Sequence, residues 1–154
     1  MGVFMSVRVD SDFDLRSWPF YWITRSNNAY LSTLEGILKR NQLDIPRWRV
    51  LMLLSCEQAR SVTYLAEEAI IKLSTMTRII QRMGQEGLVE TRPLESDNRV
   101  TEVLLTLKGD DARSEAQRAA SDVFAKAFEG ISQQEITALN GTLARVLSNL
   151  GDKS

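Results

Sequence analysis

The stretch Ser74-Thr75-Met76-Thr77-Arg78-Ile79-Ile80-Gln81-Arg82-Met83-Gly84-Gln85-Glu86-Gly87, followed at once by Leu88-Val89-Glu90-Thr91-Arg92, decides the fold class. Leu73, Met76, Ile80 and Met83 recur at i, i+3, i+7 and i+10, the spacing of one face of an α-helix. The opposite face is polar, with Ser74, Thr75, Arg78, Gln81 and Arg82, and Thr77 at its edge. Ser74 suits the N-cap, because its hydroxyl can accept from an orphan backbone N–H, so a helix is predicted over 75–86. Gly87 suits a left-handed C-terminal cap. Gly84, inside the helix, costs about 1 kcal/mol relative to alanine. After Gly87 the period becomes alternating. Strands are predicted over 88–92 and 100–107, with 93–99 as a polar connection.

Upstream, Ser61 to Ala69 reads as a short helix with Val62, Leu65, Ala66 and Ala69 inward, and 70–73 as a brief turn. Helix, turn, helix and hairpin in that order make a winged helix-turn-helix. Another helix opens near Pro46, carries Trp48, Leu51, Met52 and Leu54, and ends before Glu57. Longer helices flank this lobe. The first, over 17–42, has Ser17 or a neighbour as its cap and Pro19 in its first turn, where a missing N–H costs nothing. Its apolar positions are Phe20, Ile23, Tyr30, Leu31, Leu34, Ile37 and Leu38. Two more are predicted over 108–129 and 132–150, the latter opening on a capping-box pattern, Ser132 with Glu135. Ile136, Leu139, Leu143, Val146, Leu147 and Leu150 form its apolar face. Residues 1–15 read as a frayed arm. The fold class is therefore mainly α with a small two-stranded β-wing, as a single domain over 1–154. Its lobe covers about 46–107, between terminal helices at about 17–42 and 108–150. Those terminal helices pack either as an intramolecular bundle or across a two-fold axis.

Composition narrows the function. A chain of 154 residues with 44% apolar and 25% charged residues is an ordinary globular protein. No apolar run approaches the roughly 20 residues that span a bilayer. Residues 1–14 lack the basic and then apolar pattern of a signal peptide. A lone cysteine, Cys56, makes no internal disulfide, and a cytoplasmic location is the expectation. The absence of histidine removes most zinc sites, Ser-His-Asp triads and Cys-His pairs. No glycine-rich nucleotide loop is present, and Asp and Glu fall on polar helix faces. Neither enzyme activity nor a metal or cofactor is expected. The formal net charge of −1 does not by itself point to nucleic acid. Its distribution is compatible with DNA: Lys72, Arg78, Arg82 and Arg92 outweigh Glu86 and Glu90 across the decisive stretch, whereas residues 1–14 are net acidic.

The segment from Ser61 to Thr106 resembles the MarR family of regulators. The residues that carry the resemblance are Leu65-Ala66, Ser74-Thr75-Met76-Thr77-Arg78 and Gly87-Leu88-Val89-Glu90. Asp97-Asn98-Arg99, Val103, Leu105, Thr106 and Gly109 then fit the family's wing pattern D-x-R-x-x-x-V-x-L-T-x-x-G. The resemblance implies a homodimer whose second motif helix enters the major groove of double-stranded DNA. The operator would be pseudo-palindromic, with half-sites about one helical turn apart. Ser74, Thr75 and Thr77 would suit phosphate oxygens. Arg78 could pair with a guanine edge and Gln81 with an adenine, with Arg82 on the same face. The wing would send Arg99 into a minor groove, oriented by Asp97. Simpler roles stand beside these: capping for Ser74 and Thr75, solvation for Arg78 and Arg82, a hairpin-tip cation for Arg99 and turn chemistry for Asp97. A winged-helix protein-interaction module without DNA binding is the rival, resting on the near-zero net charge and on Gly84. Arg78, Arg82, Asp97 and Arg99 argue against it.

Many members of that family bind small aromatic acids between the dimer helices and the DNA-binding lobe. Trp18, Tyr21, Trp22, Arg25 and Tyr30, with Trp48, are the matching candidates here, alongside Phe20, Asn28 and Arg49. Aromatic rings with arginine suit an aromatic carboxylate or its thioester, whose binding would release a repressor. Aromatics at this spacing also serve as core or dimer interface. Cys56, toward the end of the second helix, is expected to be a small buried residue and not a reactive thiolate.

Overall fold

Six α-helices and three short strands follow one another in the computed structural model, which describes residues 14–151. Most of the arm expected at 1–15 lies outside the described residues. At its end Asp14 accepts from the Arg16 backbone N–H at 3.0 Å and caps a 3-10 turn, Leu15–Ser17. Helix α1 (Pro19–Leu38) has proline in its first turn, as expected. Its N-cap position is Trp18, with no side-chain capping bond, and the Ser17 hydroxyl donates to the Asp14 carbonyl instead. A 3-10 turn, Lys39–Asn41, and Gln42 at φ 56° end it. Helix α2 (Ile45–Leu53) opens on Asp44, whose carboxylate accepts from the Arg47 N–H.

The lobe follows the predicted order with shifted boundaries. Strand β1 (Arg60–Ser61) leads into helix α3 (Val62–Glu68), capped by the Ser61 hydroxyl. Helix α4 (Leu73–Gln85) starts earlier than the Ser74 cap predicts: its N-cap residue is Lys72, whose carbonyl accepts from Thr75 and Met76. Ile70, at φ 55°, turns the chain so that Ser74 is already helical. Met76, Ile80 and Met83 are buried as the stripe predicts, but Leu73 is half exposed. Gly87 adopts φ 73° and ends the helix as a left-handed cap.

Strand β2 (Val89–Leu94) pairs antiparallel with β3 (Asp97–Leu105) from Val89↔Leu105 to Leu94↔Asp97. The hairpin tip is therefore Glu95-Ser96, shorter than the predicted 93–99 connection. Pro93 is accommodated because β2 is an edge strand, with no partner beyond it among the described residues. On the other side of β3, Arg60 pairs with Val103 and Ser61 with Glu102. The sheet thus has three strands where two were expected, although the wing itself is the predicted hairpin.

Helix α5 (Leu107–Ala127) packs on α1 and α2. One core runs from Leu34 and Leu38 of α1 through Val50 and Leu51 of α2 into the lobe. Helix α6 (Gln133–Asn149) opens with the predicted capping box, whose Ser132 hydrogen bonds hold the Glu135 carboxyl below the usual carboxylate range. Only Ile136 of α6 is buried within the chain.

Candidate nucleic-acid interface

Burying Met76, Ile80 and Met83 turns the remaining face of α4 to solvent. Ser74, Thr75, Thr77, Arg78, Gln81 and Arg82 are all exposed there, and so are Asp97 and Arg99 on the wing. The fold brings part of this set together. Leu73, Thr77, Gln81 and Gly84 of α4 face Arg99 and Thr101 of the wing across a groove of about 460 Å³. Ser74, Thr75, Arg78 and Arg82 lie outside that groove, on the open side of the helix. The Thr77 hydroxyl donates to the Leu73 carbonyl at 2.9 Å, so it keeps only acceptor capacity for a ligand.

Asp97 acts on the backbone. Its Oδ1 accepts from the Arg99 N–H at 3.0 Å, fixing the strand start beside the tip. No Asp97–Arg99 side-chain ion pair occurs among the described residues, so any orienting of Arg99 runs through the main chain.

The local positive charge is partly neutralised by the fold. Arg82 Nε donates to Glu86 at 2.9 Å, and Arg92 Nε to Glu102 at 3.1 Å. Among the described residues Arg78 and Arg99 have no ionic partner. Arg78 on the helix and Arg99 on the wing, together with exposed Lys72 at the N-cap of α4, are free to meet an anion.

The aromatic set does not form one pocket within a single chain. Trp18 meets Phe20 edge-on at 6.0 Å, and Tyr21 meets Trp22 at 5.1 Å with the Arg25 guanidinium over the Tyr21 ring. Trp22 and Tyr30 line a larger groove of about 1130 Å³ between α1, α5 and α6, with Phe124, Leu139 and Leu143. Tyr30 also meets Trp48 edge-on at 6.4 Å. Burial raises the Tyr30 pKa, against the opposing charge of Arg49, so Tyr30 is a neutral phenol at ordinary pH.

Two donors that sequence reasoning did not single out as unsatisfied stand on the packed helices α2 and α5. Trp48 Nε1 and Arg113 Nε are buried with no hydrogen-bond partner among the described residues. A buried donor left unpaired costs about 1–3 kcal/mol; neither residue lines either groove above, and Arg113 donates through Nη1 to Asp110 at 3.4 Å. Arg113 was missed because nothing in its helical periodicity separates it from a surface arginine. Cys56 corrects another expectation. Extended backbone at Leu54 ends α2 early, and Cys56 is exposed in the bend beyond it. Among the described residues no helix is long and apolar enough to cross a membrane.

Residues 43–101, from the α1–α2 junction into β3, match the family model described as MarR family. The chain is 37% identical over 139 residues to the HTH-type transcriptional repressor IacR of Pseudomonas putida, covering 90% of this chain and 83% of the relative. Its fold is similar to that of a mutant MarR from E. coli complexed with operator DNA (TM-score 0.75, 22% identity, 89% of this chain and 99% of the other). It is also similar to CouR from Rhodococcus jostii RHA1 bound to p-coumaroyl-CoA (TM-score 0.77, 20% identity, 86% and 94%).

Proposed function

We propose, since the chain belongs to the MarR family of DNA-binding, non-enzymatic transcriptional regulators, that it is a homodimeric repressor of a pseudo-palindromic operator. A small aromatic carboxylate or its thioester releases it. The observation that carries the reading is the pair Arg78 and Arg99: exposed, without ionic partners among the described residues, and set on the two elements that a winged helix offers to DNA. In the dimer, α4 of each protomer reads a half-site from Ser74, Thr75, Thr77, Arg78, Gln81 and Arg82. Each wing places Arg99 in a minor groove, with Asp97 holding its backbone. The chain acts as one domain, its lobe at about 46–107 carried by dimerisation helices at about 17–42 and 108–150.

Fluorescence anisotropy tests this reading, with DNA from upstream of the protein's own coding region against a scrambled control. Selective binding that weakens linearly with log salt is expected. A folded dimer with no selectivity at low salt would point to the protein-interaction module. In the same assay Arg99→Ala is expected to weaken operator binding by about 1–3 kcal/mol. Unchanged affinity in the folded variant removes Arg99 from the contact set.

The ligand reading is supported by the unpaired donors of Trp48 and Arg113 and by the Tyr30–Trp48 pair. A carboxylate would give the Trp48 N–H the acceptor it lacks, and Arg113, whose Nη1 donates to Asp110 at 3.4 Å, keeps Nε for another. CouR, which shares the fold, was captured with an aromatic thioester. Phenolic acids are expected to quench tryptophan fluorescence and to release operator DNA. Trp48→Phe, which removes the donor and keeps a ring, is expected to weaken that response while DNA affinity holds. Phenolic acids that do neither sink the ligand reading and leave the DNA reading intact.

A further inference from the structure

Arg47 is the buried charged residue of the described chain, at 8% exposure, and every nitrogen of its guanidinium has a partner. Nη1 donates to both carboxylate oxygens of Glu86 at 3.0 and 2.8 Å. Nε donates to Asp44 Oδ2 at 3.2 Å, and Nη2 to the Gln42 carbonyl at 2.6 Å. Glu86 is the C-cap residue of α4, and its Oε1 also accepts from Arg82 Nε. Two residues along α2, Arg49 Nη1 donates at 2.9 Å to the carbonyl of Ala69, the C-cap residue of α3. One short helix thus grips the C-terminal ends of both helices of the helix-turn-helix motif.

Arg47 is buried while the Glu86 side chain is 32% exposed, and such a pair is a poor source of stability, because desolvating the guanidinium offsets much of the attraction. What a guanidinium adds is direction: its planar fork fixes the angle and distance of the carboxylate it meets, which an ammonium does not. Arg47 is buried and cannot touch a phosphate. Its partner Glu86 shares its carboxylate with Arg82, one of the exposed cations on α4.

We infer that Arg47 is a positioning residue for DNA recognition. Through Glu86 it sets the tilt of α4 against the dimerisation side of the molecule and the direction of Arg82, while Arg49 holds α3. The inference rests on the DNA-binding reading above, and the test separates the two. Arg47→Met and the double variant Arg47→Met/Glu86→Leu are compared with wild type for operator and scrambled DNA. The double variant replaces the pair with apolar side chains, which keeps the fold without a buried unpaired charge. Operator affinity is expected to fall about tenfold or more. Scrambled-DNA affinity is unchanged or higher, because no phosphate contact is lost. Hydrogen exchange of the DNA-free protein is expected to quicken across 73–85 and to hold in α5.

A folded dimeric variant that keeps the wild-type ratio of operator to scrambled affinity, or that loses both affinities together, overturns the positioning role. Wild-type protein with no selectivity would defeat the DNA reading instead. The exchange rates across 73–85 then decide the inference alone, unchanged rates overturning it.

Discussion

Gly109→Ala is expected to lower the melting temperature by about 6–12 °C, corresponding to roughly 3 kcal/mol in a chain of this size. Gly109 is buried in the first turn of α5. A Cβ there would lie 1.9 Å from the Leu88 carbonyl oxygen, 3.0 Å from its carbon and 3.1 Å from Leu105 Cδ2. The first two atoms are backbone and cannot swing aside. They belong to the segment between the α4 cap and β2, which Thr106 stitches to the start of α5. The Thr106 hydroxyl accepts from the Gly109 N–H at 2.9 Å and donates to the Gly87 carbonyl at 2.7 Å. Its own N–H donates to Leu88 at 3.1 Å. Overpacking in a core commonly costs about 1–3 kcal/mol, and contact with fixed backbone belongs at the upper end. The internal control is Gly36→Ala in α1, where nothing lies within 4 Å of the added methyl. That change should stabilise the helix by up to about 1 kcal/mol. Thermal unfolding followed by circular dichroism measures both. A Gly109→Ala protein that melts within about 2 °C of wild type would show that α5 can shift away from Leu88 freely.

The second large effect concerns assembly. Leu139→Asp/Leu143→Asp is expected to give a folded monomer whose operator affinity falls by about 100-fold or more, because one lobe alone loses the avidity of two linked half-sites. Within one chain Leu139, Leu143 and Leu147 are 46%, 36% and 47% exposed, along the stripe that continues from buried Ile136. Trp22, Ile23 and Phe124 are exposed across the same groove. Monomers rarely leave a contiguous apolar surface of more than a few hundred Å² uncovered. In the dimer proposed above, a second copy of the chain would supply a matching set of α1 and α6 side chains to cover it. Two carboxylates placed there must be desolvated on association, at several kcal/mol each. Sedimentation equilibrium reads the mass and anisotropy the affinity. A double variant that remains dimeric and binds operator normally would place the subunit interface elsewhere.

How much of this was legible beforehand depends on how far apart the interacting groups lie. The buried face of α4, the left-handed Gly87 and the Ser132–Glu135 capping box all depend on neighbours within a turn or two, and periodicity with cap chemistry determined them. The order of helices and the wing followed for the same reason, since each element carries its own period. The exposed polar face of α4 came with its apolar stripe, so Arg78, Gln81 and Arg82 were found as surface groups.

What required the tertiary structure involves partners distant in sequence. Strand β1 is two residues long and exists because β3 offers it a free edge. Leu73 fits the apolar stripe, yet the early start of α4 leaves it half exposed against the wing groove. Cations that looked equivalent in sequence differ in fact, because Glu86 and Glu102 neutralise Arg82 and Arg92 while Arg78 and Arg99 stay unpaired. Five of the six aromatic-site candidates lie within thirteen positions in sequence, but of the six only Trp22 and Tyr30 line the groove between α1, α5 and α6, and Trp48 meets Tyr30 from α2. Gly109 is visible in the wing pattern as a letter, and its cause is a carbonyl at Leu88. Arg47 and Glu86 are separated by 39 positions, so no local pattern joins them. Short-range hydrogen bonding and periodicity therefore determined which elements this chain forms. Only packing decided which charges are spent inside the fold and which remain for DNA, because a charge is neutralised by whatever the fold brings within a few ångströms of it.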